Sequence, residues 1–463
     1  MQLDGFASVK VVSRLGILHL PRQVCYQPAP GTHTLPGNAL LPAHNGMIIT
    51  RPLQEWACLL AQDLPFETVQ RLLGWQTQTP AVLSSTEVRQ LVRTHGQVVR
   101  QAEAHEVQAL LAQGDLAGLQ PQLVPAEAAR RPATWPAELN AAVATALAAE
   151  APQPPAGVSA GDWARVLTAR RAEPTLTAAN LARLGPTVQP NQVVVALDEV
   201  KVRQPTPDAW WELRTARIAT PQGYRYLSGT GVIFLQQVCL LLVLCGGGAA
   251  LVTLLADGAR WIRNFFTEQL TQLPRKELIL DWYHLRKKCY ELLSMICRNR
   301  QDKAQLIGRL LSALWSGEVE AALADLEAYR PEAKNTAKLD ELISYLQNRR
   351  TSIPNYKLRR QARQFKSSGQ VEKANDLMVA RRQKHQGMHW SQPTTDVLAA
   401  LKTLTLNRGW DLYWQKGQVL PLVYSKRLRF GLFGRTGSSR STGFPVPADA
   451  RCAPFGCSRR SPA

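Results

Sequence analysis

The run VVVALDEVKV, residues 193–202, constrains this chain more than any other stretch. Valines, an alanine and a leucine in unbroken succession suit a strand buried on both faces rather than a half-solvated one. The run then reaches two adjacent carboxylates, Asp198 and Glu199. A carboxylate at the end of a buried strand needs water, a cation or a metal beside it. What meets this strand end therefore decides what the chain can do.

The surrounding segment, 191–290, has the clearest order. Strand signals recur in NQVVVALDEV, WWELRTARIAT and YRYLSGTGVIFL, followed by a helix, the strand ALVTLLAD, the helix WIRNFFTEQL and the strand ELILDWYHL. This alternation predicts an α/β fold. A three-strand meander, then a helix, then a fourth strand is the RNase H-type order, in which the first and fourth strands are neighbours. Their carboxyl ends would bring Asp198 and Asp257 together. A third acid, Glu372, stands near the start of a later helix, after SSG.

Two carboxylates that close repel unless a cation lies between them. Magnesium, or manganese in its place, is the natural cation, being hard and oxygen-loving. A third carboxylate can complete a two-metal site for in-line displacement at phosphorus. The plainer reading of each acid is a turn residue, a helix N-cap or a partner of the helix dipole. It is their joint placement that favours the metal.

Charge points the same way. Lys and Arg number 55 against 35 Asp and Glu, a formal net charge of +20. Such a balance favours a polyanionic partner, DNA before an anionic membrane surface. The eight cysteines are scattered with no CxxC pair, Cys25 alone near the start and Cys452 and Cys457 near the end without a histidine. They read as free thiols in a reducing cytoplasm, not as a zinc site. No signal-peptide pattern opens the sequence. VCLLLVLCGGGAALVTLLA, 238–256, has the length of a membrane span. Its three glycines instead predict a helix, a turn at Gly246–Gly248 and a buried strand.

Seven segments are expected. Residues 1–52 mix strand and loop. Residues 53–118 carry two short helices and a longer third, with a Ser84/Glu87 capping box and Arg89 and Arg93 four apart on one face. That segment reads either as a helix-turn-helix-like DNA-binding region or as a bundle with a solvated arginine face. Residues 119–190 form an Ala/Pro-rich linker. The core occupies 191–290, and a charged helical insertion follows at 291–365. Residues 366–423 hold the helices carrying the third acid, and 424–463 form a basic tail expected to be disordered.

The motifs VVVALDEVKV, LLADGARWIRNFF, ILDWYHLRKKCYELL and SGQVEKANDLMVARRQKHQGMHW resemble DDE-type transposases of bacterial insertion sequences, in the Kra-type and Lre-type groups related to Mutator-like elements. The likeness is strong over 190–405 and weaker over 10–420. It implies an RNase H-like catalytic domain with a helical insertion, preceded by a mainly helical DNA-binding region. It implies Asp198, Asp257 and Glu372 as the metal-binding triad, with Asp281 and His284 supporting the site as an Asp-x-x-His motif. Asp281 is the rival second ligand, and His284 could equally be a core histidine. Arg381, Arg382, Lys384 and His385 are expected to meet phosphates or to form a solvated face. Trp390 would stack on a flipped base or, more simply, pack in the core.

The sequence departs from the family at Ser367-Ser368-Gly369, where relatives have Gly-Ser-Gly; Gly369 would then have to keep a special backbone angle. The N-terminus is short and the tail has no family character. The expectation is a cytoplasmic, nucleoid-associated enzyme that binds terminal inverted repeats as an oligomer, cleaves DNA and joins it to a target. The competing readings are a nuclease on the same fold and a DNA-binding protein with a decayed catalytic domain.

Overall fold

The computed structural model describes residues 2–27, 43–44, 47–114, 116, 118–125, 186–246, 250–362, 364–385 and 388–425. The side chain of Cys25, residues 126–185 of the expected linker, and 426–463 with Cys452 and Cys457 lie outside this description. The five cysteines whose side chains are described are free thiols.

The chain is a mixed α/β structure built on the valine run. Strand β7 (Gln192–Arg203) pairs antiparallel with β8 (Trp210–Ala219), which pairs antiparallel with β9 (Gly223–Gly229). Helix α4 (Gly231–Gly246) follows and returns the chain to β10 (Leu251–Ala256), which lies parallel to β7 on its other side. Strand β11 (Lys276–Leu280) adds parallel to β10. The first and fourth strands of this series are thus neighbours, as expected. The six-stranded sheet runs β11-β10-β7-β8-β9, with the two-residue strand β6 (Val124–Pro125) at its edge beside β9.

Period-two geometry explains why residues 193–197 of β7 are apolar on both faces. Val193, Val195 and Leu197 enter the core beneath α4, with Phe234, Val238 and Leu241. Val194, Ala196, Val200 and Val202 enter the opposite core, against helices from both ends of the chain. Because successive side chains alternate, the two adjacent carboxylates part company. Asp198 falls on the face of Ala196 and Val200, and Glu199 on the face of Leu197.

The apolar stretch at 238–256 is divided as its glycines predict, into α4 and β10. Among the described residues, no helix is long and apolar enough to cross a membrane.

The N-terminal part opens with a long hairpin, β1 (Gln2–Ser13) and β2 (Gly16–Gln27), where Gly16 supplies the positive φ of the turn. Short strands β3 (Ala43–His44) and β4 (Met47–Ile49) extend this sheet. Helices α1 (Arg51–Ala61), α2 (Phe66–Gln76) and α3 (Ser85–Gln113) follow. The capping box at the start of α3 forms as expected. Glu87 N–H donates to Ser84 Oγ at 3.2 Å, and Ser84 N–H to Glu87 Oε2 at 2.6 Å.

The expected boundary between 53–118 and the late helices is not a boundary in the core. Helix α3 packs along a late helix, Gln392–Leu406, whose Val397 lies against Gly96. A Cβ at Gly96 would come within 2.5 Å of the Val397 carbonyl oxygen, so only glycine permits this approach. Arg100 of α3 joins them further, pairing with Asp396 at 3.0 Å and donating to the Ser228 carbonyl at 2.6 Å. The described residues at the start of the expected linker include two short strands. β5 (Leu119–Pro121) pairs with the strand Val423–Ser425, and β6 (Val124–Pro125) forms the sheet edge beside β9.

The expected insertion is helical throughout its described length. After β11 come α6 (Trp282–Ile296), α7 (Arg300–Trp315), α8 (Val319–Ala328), α9 (Thr336–Gln347) and α10 (Tyr356–Gln361); the earlier α5 spans Arg260–Asn264. The chain then re-enters the sheet's neighbourhood as α11 (Gly369–Asn375), which carries Glu372.

Candidate functional site

Three aspartates stand at one level on three adjacent parallel strands: Asp257 and Asp281 directly follow β10 and β11, whereas Asp198, expected at the end of its strand, lies within β7, which runs on to Arg203. Ala196 is opposite Leu255, and Ala256 opposite Leu280. Two residues beyond Ala196 and Leu255 are Asp198 and Asp257; the next residues after Ala256 and Leu280 are Asp257 and Asp281. Helix α11 lies over this end and brings Glu372, and His284 enters from the first turn of α6.

Asp198 is held at both oxygens. The Glu199 backbone N–H donates to Oδ1 at 2.8 Å, and Asn375 Nδ2 donates to Oδ2. Asn375 is itself buried, and its Oδ1 accepts from the Thr215 hydroxyl of β8. Burial pushes the Asp198 carboxyl up to about 6; the Glu199 N–H opposes this, the negative charges of Asp257 and Glu372 add to it, and His284 offsets part. The expected acids therefore lie within electrostatic reach of one another.

Asp257 is presented by a tight turn. Its Oδ1 accepts from the Ala259 N–H at 2.8 Å, and Gly258 takes φ +94. Arg349, at the end of the insertion, donates to the Gly258 carbonyl at 3.0 Å and would clash with any Cβ there. The insertion thus braces the loop that carries the second acid.

The side chains whose ligand atoms approach most closely are a different set. Asp281, His284 and Glu372 each offer an atom within 4.8 Å of the others, an arrangement that could hold a metal ion. The environment of Asp281 separates its role from that of the other two. It is fully buried. Its Oδ1 accepts from the His284 N–H at 3.0 Å, capping α6, and lies 3.3 Å from His284 Nδ1. Its Oδ2 accepts from the Ser368 N–H and from Ser368 Oγ at 2.8 Å. Of a carboxylate's roughly four lone-pair sites, three accept these hydrogen bonds, and the His284 ring stands at 3.3 Å. Burial alone would raise its pKa, but the contacts from His284 and Ser368 hold it below the usual carboxylate range. Asp281 is accordingly better suited to orienting His284 than to ligating a metal.

His284 lies beside Asp281, with Nδ1 4.0 Å from Glu372 Oε1. The Asp281 contact raises the imidazole pKa; burial opposes, and the charges of Asp281, Asp257 and Glu372 support the rise. The alternative of a core histidine is set aside: its side chain is 32% exposed and faces acids. Glu372, 46% exposed, is the most open of the group.

The remaining predicted positions divide. Arg89 and Arg93 are exposed on α3. Arg381 and Lys384 are exposed too, Arg381 reaching Asp376 at 3.3 Å; His385 stands 3.6 Å from the same acid. Arg382 is the correction. It is 2% exposed, donates to the Ala61 carbonyl at 3.2 Å and lies between the rings of Phe66 and Trp390. Its guanidinium fastens α1 and α2 to the late helices and is not presented to a phosphate. Trp390 is buried, as the simpler reading had it. Gly369 is also corrected: it lacks a positive φ and simply opens α11. The special requirement at that loop falls on Ser368, whose N–H and hydroxyl secure Asp281.

Ser368, Asn375, Thr215 and Arg349 were not singled out from sequence. A Glu-x-x-Asn spacing from Glu372 to Asn375 puts both on one side of a helix and was the one local signal available. Comparison with known protein families and with curated proteins finds no match to this chain.

Proposed function

We propose that this chain is a DNA strand-transfer enzyme of the DDE transposase type on an RNase H-like sheet. One observation carries the reading: Asp198 in β7 and Asp257 just past β10 lie at one level on adjacent parallel strands, and the charges of Asp257 and of Glu372, on α11, both act on Asp198. The donor set fits a hard divalent ion. It is mostly carboxylate oxygen, and the upward push on Asp198 by burial and by Asp257 and Glu372 is what a bound cation relieves.

Asp198, Asp257 and Glu372 would hold magnesium or manganese. Bound there, the metal would supply charge neutralisation and Lewis acidity for in-line displacement at phosphorus. The chain's own part is placement. Glu199 N–H and Asn375 fix both oxygens of Asp198. The Gly258 turn fixes Asp257. Asp281 holds His284 toward Glu372. The net charge of +20 and the exposed Arg89 and Arg93 on α3 supply the attraction for DNA. Processing two element ends would require at least two copies on DNA.

The test supplies the full chain with magnesium or manganese and DNA bearing the terminal repeats that flank its gene. Nicked and then joined products are expected. Asp198→Ala should abolish both while still retarding the DNA in a gel. Cleavage without joined products identifies a nuclease instead; retardation without cleavage by the unmodified chain identifies a binding protein. Full cleavage by Asp198→Ala removes Asp198 from the site.

A further inference from the structure

We infer that the outer face of α6 is a track for a single DNA strand running away from the acidic site. The inference rests on the strand-transfer reading for its choice of nucleic acid.

The helix begins at the site itself, capped by Asp281 and carrying His284 in its first turn. Its inner face is apolar and buried, through Leu285, Cys289, Leu292 and Ile296. Its outer face is unusual. Tyr283 is 58% exposed and Tyr290 37% exposed, and among the described side chains these are the two tyrosines that stand open to solvent. They are seven residues apart, so they share a face, about 10 Å apart along the axis. The Tyr283 ring stands edge-on to the His284 ring at 5.5 Å, which ties the first platform to the site.

Cations flank the second ring. The Arg286 guanidinium is 5.3 Å from the centre of Tyr290, and Lys303, reaching over from α7, is 5.6 Å from it. Lys303 is placed by a 2.6 Å hydrogen bond to Ser294 Oγ, one turn further along α6. Lys287 is exposed between the tyrosines, with Glu291 at 3.9 Å as its counter-charge.

Open aromatic rings interleaved with cations are what an unpaired strand requires. Bases stack on the rings irrespective of sequence, and the cations meet the phosphates. A duplex cannot use the rings in this way, because its bases are already stacked on one another and offer only their edges in the grooves. The feature therefore selects a single strand over intact duplex.

The test measures binding of a fluorescein-labelled oligothymidylate of about 20 nucleotides to the full chain in excess EDTA, by anisotropy, so no catalysis is involved. Tyr283→Ala and Tyr290→Ala should each weaken binding by about tenfold or more, while Tyr290→Phe, which keeps the ring, should stay near the unmodified chain. Arg286→Gln with Lys287→Gln should flatten the dependence of log affinity on log salt by about 1.4. All these side chains are exposed, so thermal melting should be unchanged. Binding by both alanine variants equal to that of the unmodified chain, failure of the unmodified chain to bind the oligonucleotide, or equal loss of duplex and single-strand binding in both alanine variants would overturn the track. The readings are separable: if the track fails while cleavage still depends on Asp198, strand transfer stands. If the track holds and Asp198→Ala cleaves normally, the α6 face binds DNA and the acids do not process it.

Discussion

Strand β7 and the end of β11 carry the same residue type on either side of a shared neighbour, β10, yet the protein treats the two aspartates in opposite ways. Asp281 is fully buried and accepts three hydrogen bonds, and its pKa is depressed. Asp198 is less enclosed, receives two donors and faces other acids, and its pKa is pushed up to about 6. The fold satisfies the first carboxylate and leaves the second with unmet demand for positive charge. Burial alone therefore does not mark a reactive acid. Burial with donors builds structure; partial burial among like charges leaves a place for something to bind.

The largest effect expected from this contrast is on stability. Asp281→Ala strips the N-cap from α6 and leaves the buried Ser368 groups without their acceptor. A loss of about 3–5 kcal/mol in urea unfolding is expected, the cost of breaking a buried charged pair. Asp198→Ala should cost less, about 1 kcal/mol, because the loss of an acceptor for the buried Asn375 amide is offset by relief of the repulsion from Asp257 and Glu372. Equal losses in both variants would break the comparison.

Next in size is a dependence on pH and metal. A carboxyl raised above its ordinary 3.8 binds its proton more tightly in the folded chain than in the unfolded one. Without metal, Asp198 therefore contributes stability that is full below about pH 4 and is lost as pH rises through about 6. Metal binding needs the ionised form and should run the other way. Manganese at about 100 times its dissociation constant should stabilise the chain by about 2.7 kcal/mol above pH 7 and by progressively less below pH 6. Thermal melts across this range check it. A manganese shift that is flat with pH, or that survives in Asp198→Ala, would place the ion elsewhere.

The surroundings of the two aspartates also differ in how far the sequence foretold them. The valine run marks β7 as doubly buried, and the glycines divide 238–256 into helix and strand. From these, the parallel pairing of β7 with β10 followed, and with it the placement of Asp198 and Asp257 at one level, since both depend on local period and strand order. What held the acids in place did not follow. Ser368 is 87 residues from Asp281 and Asn375 is 177 from Asp198, and no local pattern encodes such pairs. Arg382 shows the converse error. In the run ARRQKHQ it reads as one of several surface cations, and only tertiary packing between Phe66 and Trp390 reveals a buried clasp. The same limit hid the merger of α3 with the late helices through Gly96.

Asn375 sharpens the contrast at a smaller scale. A Lys or Arg in its place would steady Asp198 but repel a divalent ion; a neutral amide steadies it without that penalty. Asn375→Ala should weaken manganese binding by about 10- to 100-fold, as loss of a group that orients a ligand does, measured calorimetrically. An unchanged affinity would show that Asp198 needs no such support.

The smallest effect concerns the residue behind Asn375. An ionised Asp198 can only accept, so the amide must present Nδ2 to it and turn Oδ1 away. Thr215, opposite Asp198 on β8, supplies the hydroxyl that Oδ1 accepts from. Thr215→Val keeps the shape and removes that donor, leaving a buried carbonyl unsatisfied at a cost of about 1 kcal/mol. With the amide less firmly oriented, manganese affinity should fall as well, by less than in Asn375→Ala. The double variant should add little to Asn375→Ala alone, because the hydroxyl acts on Asp198 only through the amide. Additive losses would mean that Thr215 reaches the site by another route, and the chain from β8 through α11 to Asp198 would have to be redrawn.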